Sequence, residues 1–351
     1  MKAESKGNEE LDRLLGQKWL SGIWRLNRDE RPFDPVTTVK PHLWKWADIH
    51  DALLQARDRI GIQGGSVERR TIRLVNPGMP ESEMTSHTML FSFQLIQPGE
   101  VAPAHRHTMT AIRFILQGKG AYTNVDGQKM VMEEGGDLIL TPHWAWHEHA
   151  HEGKDPMIWI DGLDVPLIKS LQVISFEPYP EKRIPVKNSP DLSRYYGVTR
   201  PVTSASEEPP RPLHYHWRDT YLSLKHLAET EPNPFDGIAL EYVNPLTGGS
   251  TLPTLSCWIQ MLSPGMRTRL HRHTSTAIYH AFRGSGTTVI NGESFHWDKG
   301  DTFIVPLWSW HEHVNRSSKE DAVLFSMNDA PVLKAFGLYR EEGKGESRLG
   351  L

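Results

Sequence analysis

The sequence predicts a mainly β protein built from two copies of one strand-rich unit, each folded as a sandwich or barrel. Three observations carry that reading. His105-Arg106-His107 and Trp146-His147-Glu148-His149 each place histidines two residues apart, the spacing that puts side chains on one face of an extended strand. Between them Gly118, Gly120, Asp126-Gly127 and Gly135-Gly136-Asp137 punctuate short apolar runs, so the His pairs fall on separate strands of one antiparallel sheet. The whole pattern then returns. His271-Arg272-His273-Thr274 repeats His105-Arg106-His107-Thr108, and Trp310-His311-Glu312-His313 repeats Trp146 to His149, with Gly284, Gly286, Asn291-Gly292 and Gly300-Asp301 keeping register between them.

In chain order, Leu11, Leu14, Leu15, Trp19 and Leu20 are spaced for a short amphipathic helix, a surface that suits a neighbouring subunit. Residues 31–42 are proline-punctuated and loop-like, and Trp44 to Arg57 reads as a second helix. Arg70 to Leu74 opens β structure, which Asn76-Pro77 turns. From Leu90 to Ile96, Phe91, Phe93 and Leu95 alternate with Ser92, Gln94 and Ile96, the pattern of a strand with two unlike faces. Segments 111–116, 120–125, 128–132, 137–141 and 157–161 complete the first sheet-rich unit. A proline-rich stretch with a Ser-Glu-Glu run follows, a composition that wraps a surface and builds no core. Then Trp217, Asp219 and Val243-Asn244-Pro245 echo Trp46, Asp48 and Val75-Asn76-Pro77. The divisions are therefore 1–84, a helical region with lead-in strands; 85–166, the first β domain; 167–211, a linker; 212–340, the second β domain with its preceding helix; and 341–351, a loose tail.

Duplication accounts for the length: 351 residues suit two domains of about 100–150 residues each. Net charge is −4 and no basic stripe stands out, which argues against nucleic acid as a partner. No apolar run approaches the roughly 20 residues that span a bilayer, so no membrane partner is expected. The lone Cys257 cannot form an internal disulfide, and residues 1–25 lack the pattern of a secretory signal. Both points fit a cytoplasmic protein.

His105, His107 and His147 offer three neutral nitrogen donors from facing strands, a set that suits a divalent first-row metal. Three protein ligands leave coordination positions open, whereas a structural zinc site takes four. His271, His273 and His311 repeat the set. Because imidazole must be unprotonated to ligate, metal affinity is expected to fall below about pH 6.5.

Residues Gly99 to His107, Gly118, and Gly136-Asp137 through Pro142 to His147 resemble the two motifs of the cupin family, and their duplication resembles a bicupin. The strings Pro103 to Thr108, Ala111-Ile112-Arg113-Phe114-Ile115 and Trp146 to His149 are similar to gentisate 1,2-dioxygenase and its salicylate and 1-hydroxy-2-naphthoate relatives, over most of the chain. One departure from the general cupin pattern is informative. The acidic residue expected after H-x-H is missing, which leaves three histidines and matches the gentisate group.

The resemblance implies two jelly-roll β-barrels with flanking helices, and Fe(II) as cofactor on His105, His107, His147 and on His271, His273, His311. It further implies a small aromatic hydroxy acid and dioxygen as substrates, maleylpyruvate as the product from gentisate, and a homotetramer. Arg113, six residues after His107, is placed to fork onto the substrate carboxylate, Gln94 and Asp161 to contact the substrate, and His149 to exchange a proton with a ring hydroxyl or dioxygen. Arg113, Asp161 and His149 are the expected catalytic residues. In the second half Gln260 and His313 match Gln94 and His149, but Tyr279 stands for Arg113 and Ser326 falls near the place of Asp161, so ring cleavage is expected in the first half. Three other readings remain: a salicylate or 1-hydroxy-2-naphthoate 1,2-dioxygenase; a metal-dependent sugar or keto-acid isomerase, which needs no dioxygen; and a non-enzymatic storage or sensor protein, which predicts decayed ligand sets.

Overall fold

The computed structural model describes residues 2–25, 32–60, 70–187 and 211–345. Residues 1–36 form one compact unit and residues 37–351 another. In the first, helix α1 (Lys2–Gln17) ends in a Schellman closure. The Leu20 and Trp19 amides donate to the Leu15 and Gly16 carbonyls at 2.9 and 3.1 Å, with Trp19 in the left-handed region at φ 57°. Trp19 and Leu20 therefore lie beyond the helix, contrary to the expected apolar stripe, and Trp19 is 96% exposed.

The second unit opens with β1 (His42–Trp44) and α2 (Trp46–Arg59), followed by β2 (Arg70–Arg73) and β3 (Leu90–Ile96). The motif-bearing strands are β4 (Val101–His107), β5 (Ala111–Gln117), β6 (Ala121–Val125), β7 (Gln128–Val131), β8 (Leu138–Thr141), β9 (His147–His151) and β10 (Met157–Leu163). Short helix α3 (Val165–Ser170) and β11 (Phe176–Pro178) come next. The second copy begins with β12 (His214–Tyr215), α4 (Trp217–Leu227) and β13 (Ile238–Glu241). It continues as β14 (Ser256–Leu262), β15 (His271–His273), β16 (Ala277–Arg283), β17 (Gly286–Ile290) and β18 (Glu293–Trp297). It closes with β19 (Thr302–Val305), β20 (His311–Asn315), β21 (Ala322–Asn328), helix α5 (Ala330–Ala335) and β22 (Glu341–Gly343).

The strands form two jelly-roll barrels, each a six-stranded sheet facing a five-stranded one: β12-β8-β5-β10-β3-β2 with β11-β4-β9-β6-β7, and β1-β19-β16-β21-β14-β13 with β18-β17-β20-β15-β22. The outer faces of the two six-stranded sheets pack on each other, Phe114 stacking on Phe325 at 4.0 Å and meeting Phe282 edge-on at 5.2 Å. One apolar core thus runs through both halves.

The segments that precede the repeats are exchanged. Strand β1 pairs with β19 of the second barrel and β12 with β8 of the first. This is why Trp44, expected to start a helix, is a strand residue and α2 begins at Trp46. The repeated Gly-Asp turns are the clips for the exchange. Asp137 accepts the Trp217 amide and Asp301 the Trp46 amide, each at 2.8 Å, at the first turns of α4 and α2. Gly136, at φ +102°, leaves space that the Trp217 ring fills, since a Cβ there would lie 2.5 Å from it. Burial works against the Asp137 charge, but the neighbouring His214 ring, 3.3 Å away, and two donating backbone amides outweigh it and hold the carboxyl below its ordinary value.

Two stretches differ from expectation. Part of the expected linker is a strand: β11 pairs with β4 beside His105 and His107. Part of the expected loose tail is β22, paired with β15. The Ser-Glu-Glu run and residues 346–351 lie outside the described residues. Among the described residues no helix is long and apolar enough to cross a membrane.

His280 stands in β16 where the first half has Phe114, buried against Phe93 at 5.9 Å. Burial, opposed only weakly by Asp301, lowers its pKa to about 3. The folded state therefore takes up this proton later than the unfolded chain, so the stability it contributes is complete above about pH 6.5 and lost as pH falls toward 3. Denaturant titrations should show the wild type losing about 2 kcal/mol more than His280→Leu between pH 7 and pH 5. Equal slopes would refute the assignment.

Candidate metal centre and active site

β4 and β9 are antiparallel neighbours with His105 opposite His147, so the two motifs meet without any loop having to carry a ligand. His105 and His147 rings lie 4.4 Å apart, His107 and His147 4.7 Å, and His105 and His107 5.5 Å. Each Nδ1 is within hydrogen-bond distance of a carbonyl: Pro103 at 2.8 Å, Met109 at 2.9 Å and Ala145 at 3.0 Å. These bonds fix the tautomer that turns the Nε2 lone pairs inward. The three donors gather in a buried group, and His147 Nε2 is buried with no hydrogen-bond partner. A metal ion would take up the His147 lone pair and draw in the other two donors. Burial first, then His105, Arg113 and His107, lowers the His147 pKa well below 6.5, so competition from protons begins at a lower pH than free imidazole implies.

The arginine inside each H-x-H is a feature that spacing alone did not explain. Arg106 lies between the Trp144 and Trp146 rings at 4.5 and 4.3 Å and pairs with Glu177 on β11 at 2.6 Å. Arg272 repeats this with Trp308, Trp310 and Glu342. The outward residue thus clamps the ligand strand to the next motif and to the strand that follows the barrel. The clue in the sequence was Trp-x-Trp-His recurring with His-Arg-His.

Inside the first barrel the register sets Asp161 opposite both Arg113 and Ser92, and Gln94 opposite Trp159. Arg113, 1% exposed, donates through Nη1 to Thr141 Oγ1 at 2.7 Å, and its Nε lies 3.2 Å from Asp161 Oδ1. Asp161 also accepts from Trp159 Nε1 at 3.0 Å. Gln94 Oε1 is buried with no hydrogen-bond partner among the described residues. His149 is fully buried, its Nδ1 at 2.9 Å from Thr123 Oγ1 and its ring 5.8 Å from His147. Three of the four motif histidines therefore converge, and the fourth stands beside them. Phe176 of β11 stacks on His105 at 4.9 Å.

The second barrel rebuilds the cage but changes its lining. His271, His273 and His311 donors also gather, with His271 and His311 rings 4.2 Å apart. His313 is held by Thr288 as His149 is by Thr123. Tyr279, stacked on Phe303 at 5.0 Å, takes the position of Arg113, and Ser326 lies opposite Tyr279 where Asp161 lies opposite Arg113. The buried ion pair of the first barrel has no counterpart at these positions.

A duplicated jelly roll with a three-imidazole cage in each barrel defines a metal-binding bicupin. The cupin domain model matches residues 92–165 and 258–328. The 5-aminosalicylate 1,2-dioxygenase of Comamonas sp. is 41% identical, covering 97% of this chain and 92% of that one. The 1-hydroxy-2-naphthoate 1,2-dioxygenase of Nocardioides sp. strain KP7 is 37% identical, covering 97% and 89%. A crystal structure of salicylate 1,2-dioxygenase from Pseudoaminobacter salicylatoxidans, with gentisate adducts, superposes with a TM-score of 0.87 at 30% identity, covering 97% of this chain and 94% of that one. The chain belongs to the ring-cleaving cupin dioxygenases of the gentisate and salicylate 1,2-dioxygenase family.

Proposed function

We propose that the protein is a gentisate 1,2-dioxygenase, which cleaves the ring between the carboxyl-bearing and adjacent hydroxyl-bearing carbons to give maleylpyruvate. The observation that carries this reading is a buried arginine inside the same barrel as an all-imidazole cage. Fe(II) on His105, His107 and His147 would keep its full positive charge, offer positions for a carboxylate and its ortho hydroxyl, and supply the redox chemistry that brings dioxygen to the ring.

The chain's own residues then orient and protonate. Arg113, held by Thr141 and Asp161, presents a fixed positive charge to the substrate carboxylate, worth about 1.5–3 kcal/mol as a charge-assisted hydrogen bond. Gln94 Oε1, an unmet acceptor, takes a hydrogen bond from a ring hydroxyl. Asp161 restrains the guanidinium and offers a second acceptor to the substrate. With Nδ1 engaged by Thr123, His149 exchanges a proton through Nε2. Within the same reading the enzyme is a cytoplasmic homotetramer, in keeping with Cys257 being a buried free thiol and with the exposed leucines of α1.

A second reading is favoured by the 41% identical relative: the 5-amino group of 5-aminosalicylate occupies the ring position of the second hydroxyl of gentisate. Oxygen uptake by the Fe(II)-loaded protein should match substrate consumed one to one, across gentisate, 5-aminosalicylate, salicylate and 1-hydroxy-2-naphthoate. Fastest turnover of gentisate is the expected result. Preference for another acid would move the assignment within the family, and absence of oxygen uptake with all four would favour an isomerase.

A further inference from the structure

We propose that Asp236 and Glu341 close the second histidine cage into a mixed imidazole and carboxylate cation site, which holds a divalent first-row metal and does not admit a chelating aromatic acid. The donors of Asp236, His271 and Glu341 gather within 4.8 Å of one another, as do those of His271, His273 and His311. His271 belongs to both groups, and its Nε2 lies 3.9 Å from Asp236 Oδ1. The two acidic residues are anchored, Asp236 through its backbone and Glu341 through its side chain. Gln260 donates to the Asp236 carbonyl at 2.5 Å, and Tyr339 donates to Glu341 Oε2 at 2.9 Å. Among the described residues neither carboxylate is paired with a lysine or arginine. His311 Nε2 is fully buried and has no hydrogen-bond partner.

The two barrels differ at one register position in a way that decides the chemistry. Phe176 of β11 lies opposite His107, whereas Glu341 of β22 lies opposite His273. The first cage therefore keeps the full charge of a divalent ion and gains an aromatic wall. In the second, two carboxylates that share His271 with the cage would cancel that charge and, drawn onto the same ion, would bring the protein donors to five, leaving at most one position on a six-coordinate ion. A hydroxy acid needs two adjacent positions, with a third for dioxygen. The cavity lined by Asp236, His271, His273, Tyr279, Tyr339 and Glu341 holds about 30 Å³, room for a water and not for a benzene ring. Bound there, the cation would fasten the loop before β13 and the C-terminal strand β22 to the His strands.

The experiment uses Co(II) as the probe in the His107→Ala protein, where only the second cage is intact, so its outcome does not depend on which acid the first cage cleaves. One Co(II) per chain is expected, with a visible spectrum unmoved by millimolar salicylate and a melting temperature raised over the metal-free protein. In His273→Ala, where the first cage remains, salicylate should shift the Co(II) spectrum. Adding the isosteric changes Asp236→Asn and Glu341→Gln to His107→Ala should weaken Co(II) binding at least tenfold while the metal-free protein still melts cooperatively. Unchanged affinity in that variant, a salicylate response from the second cage, or no Co(II) bound by a cooperatively folded His107→Ala protein would each overturn the proposal.

Discussion

The His107→Ala protein is expected to lose ring cleavage by roughly 10³-fold or more in kcat/KM, at least about 4 kcal/mol of transition-state stabilisation, while His273→Ala retains turnover within about tenfold. Both variants should bind one metal per chain where the wild type binds two. The asymmetry follows from the linings of the two barrels, since among the described residues only the first places a buried guanidinium, Arg113, near the cage. A two-imidazole remnant holds metal weakly and in the wrong geometry, whereas loss of the second cage leaves the first untouched. The measurement is steady-state oxygen uptake with metal content determined on the same samples. Full activity in His107→Ala with loss in His273→Ala would reverse the assignment of the catalytic half.

The second large effect comes from the Arg113 and Asp161 pair. With side chains 1% and 6% exposed, each charge depends on the other, because removal of one partner leaves an ion in a medium that cannot solvate it. Arg113→Met should therefore cost about 3–5 kcal/mol of folding stability. The double variant Arg113→Met, Asp161→Asn should recover most of that, because the orphaned charge is gone. Activity should not follow stability. Both variants lose the contact to the substrate carboxylate, and kcat/KM should fall by about 10- to 150-fold in each. Chemical denaturation and initial rates on the four proteins of the cycle separate the two effects. A double variant as unstable as Arg113→Met would show that the pair is not a mutually compensating unit. A double variant with wild-type kcat/KM would remove Arg113 from the site.

The sequence by itself determined the strands that line the cages, because a two-residue period and glycine turns are local properties. His-x-His selects one face of a strand whatever surrounds it, and β3, β5, β6 and β10 lie where alternation placed them. The repeat doubled every such inference. Tertiary structure alone decided which segments meet across long separations. Nothing local in His42 to Trp44 says that these residues pair with β19, and only the exchange shows why each Gly-Asp turn needs both residues. Arg113 could be placed on the correct strand face, but its pairing with Asp161, 48 positions away in the chain numbering, depends on β5 and β10 being neighbours. The clearest case is Glu341. In sequence it belongs to a charged tail, and only the pairing of β22 with β15 sets it opposite His273. Local patterns fix which way a side chain faces, because backbone geometry repeats every residue or two. What it faces is fixed by strand order, which depends on how the whole apolar core closes.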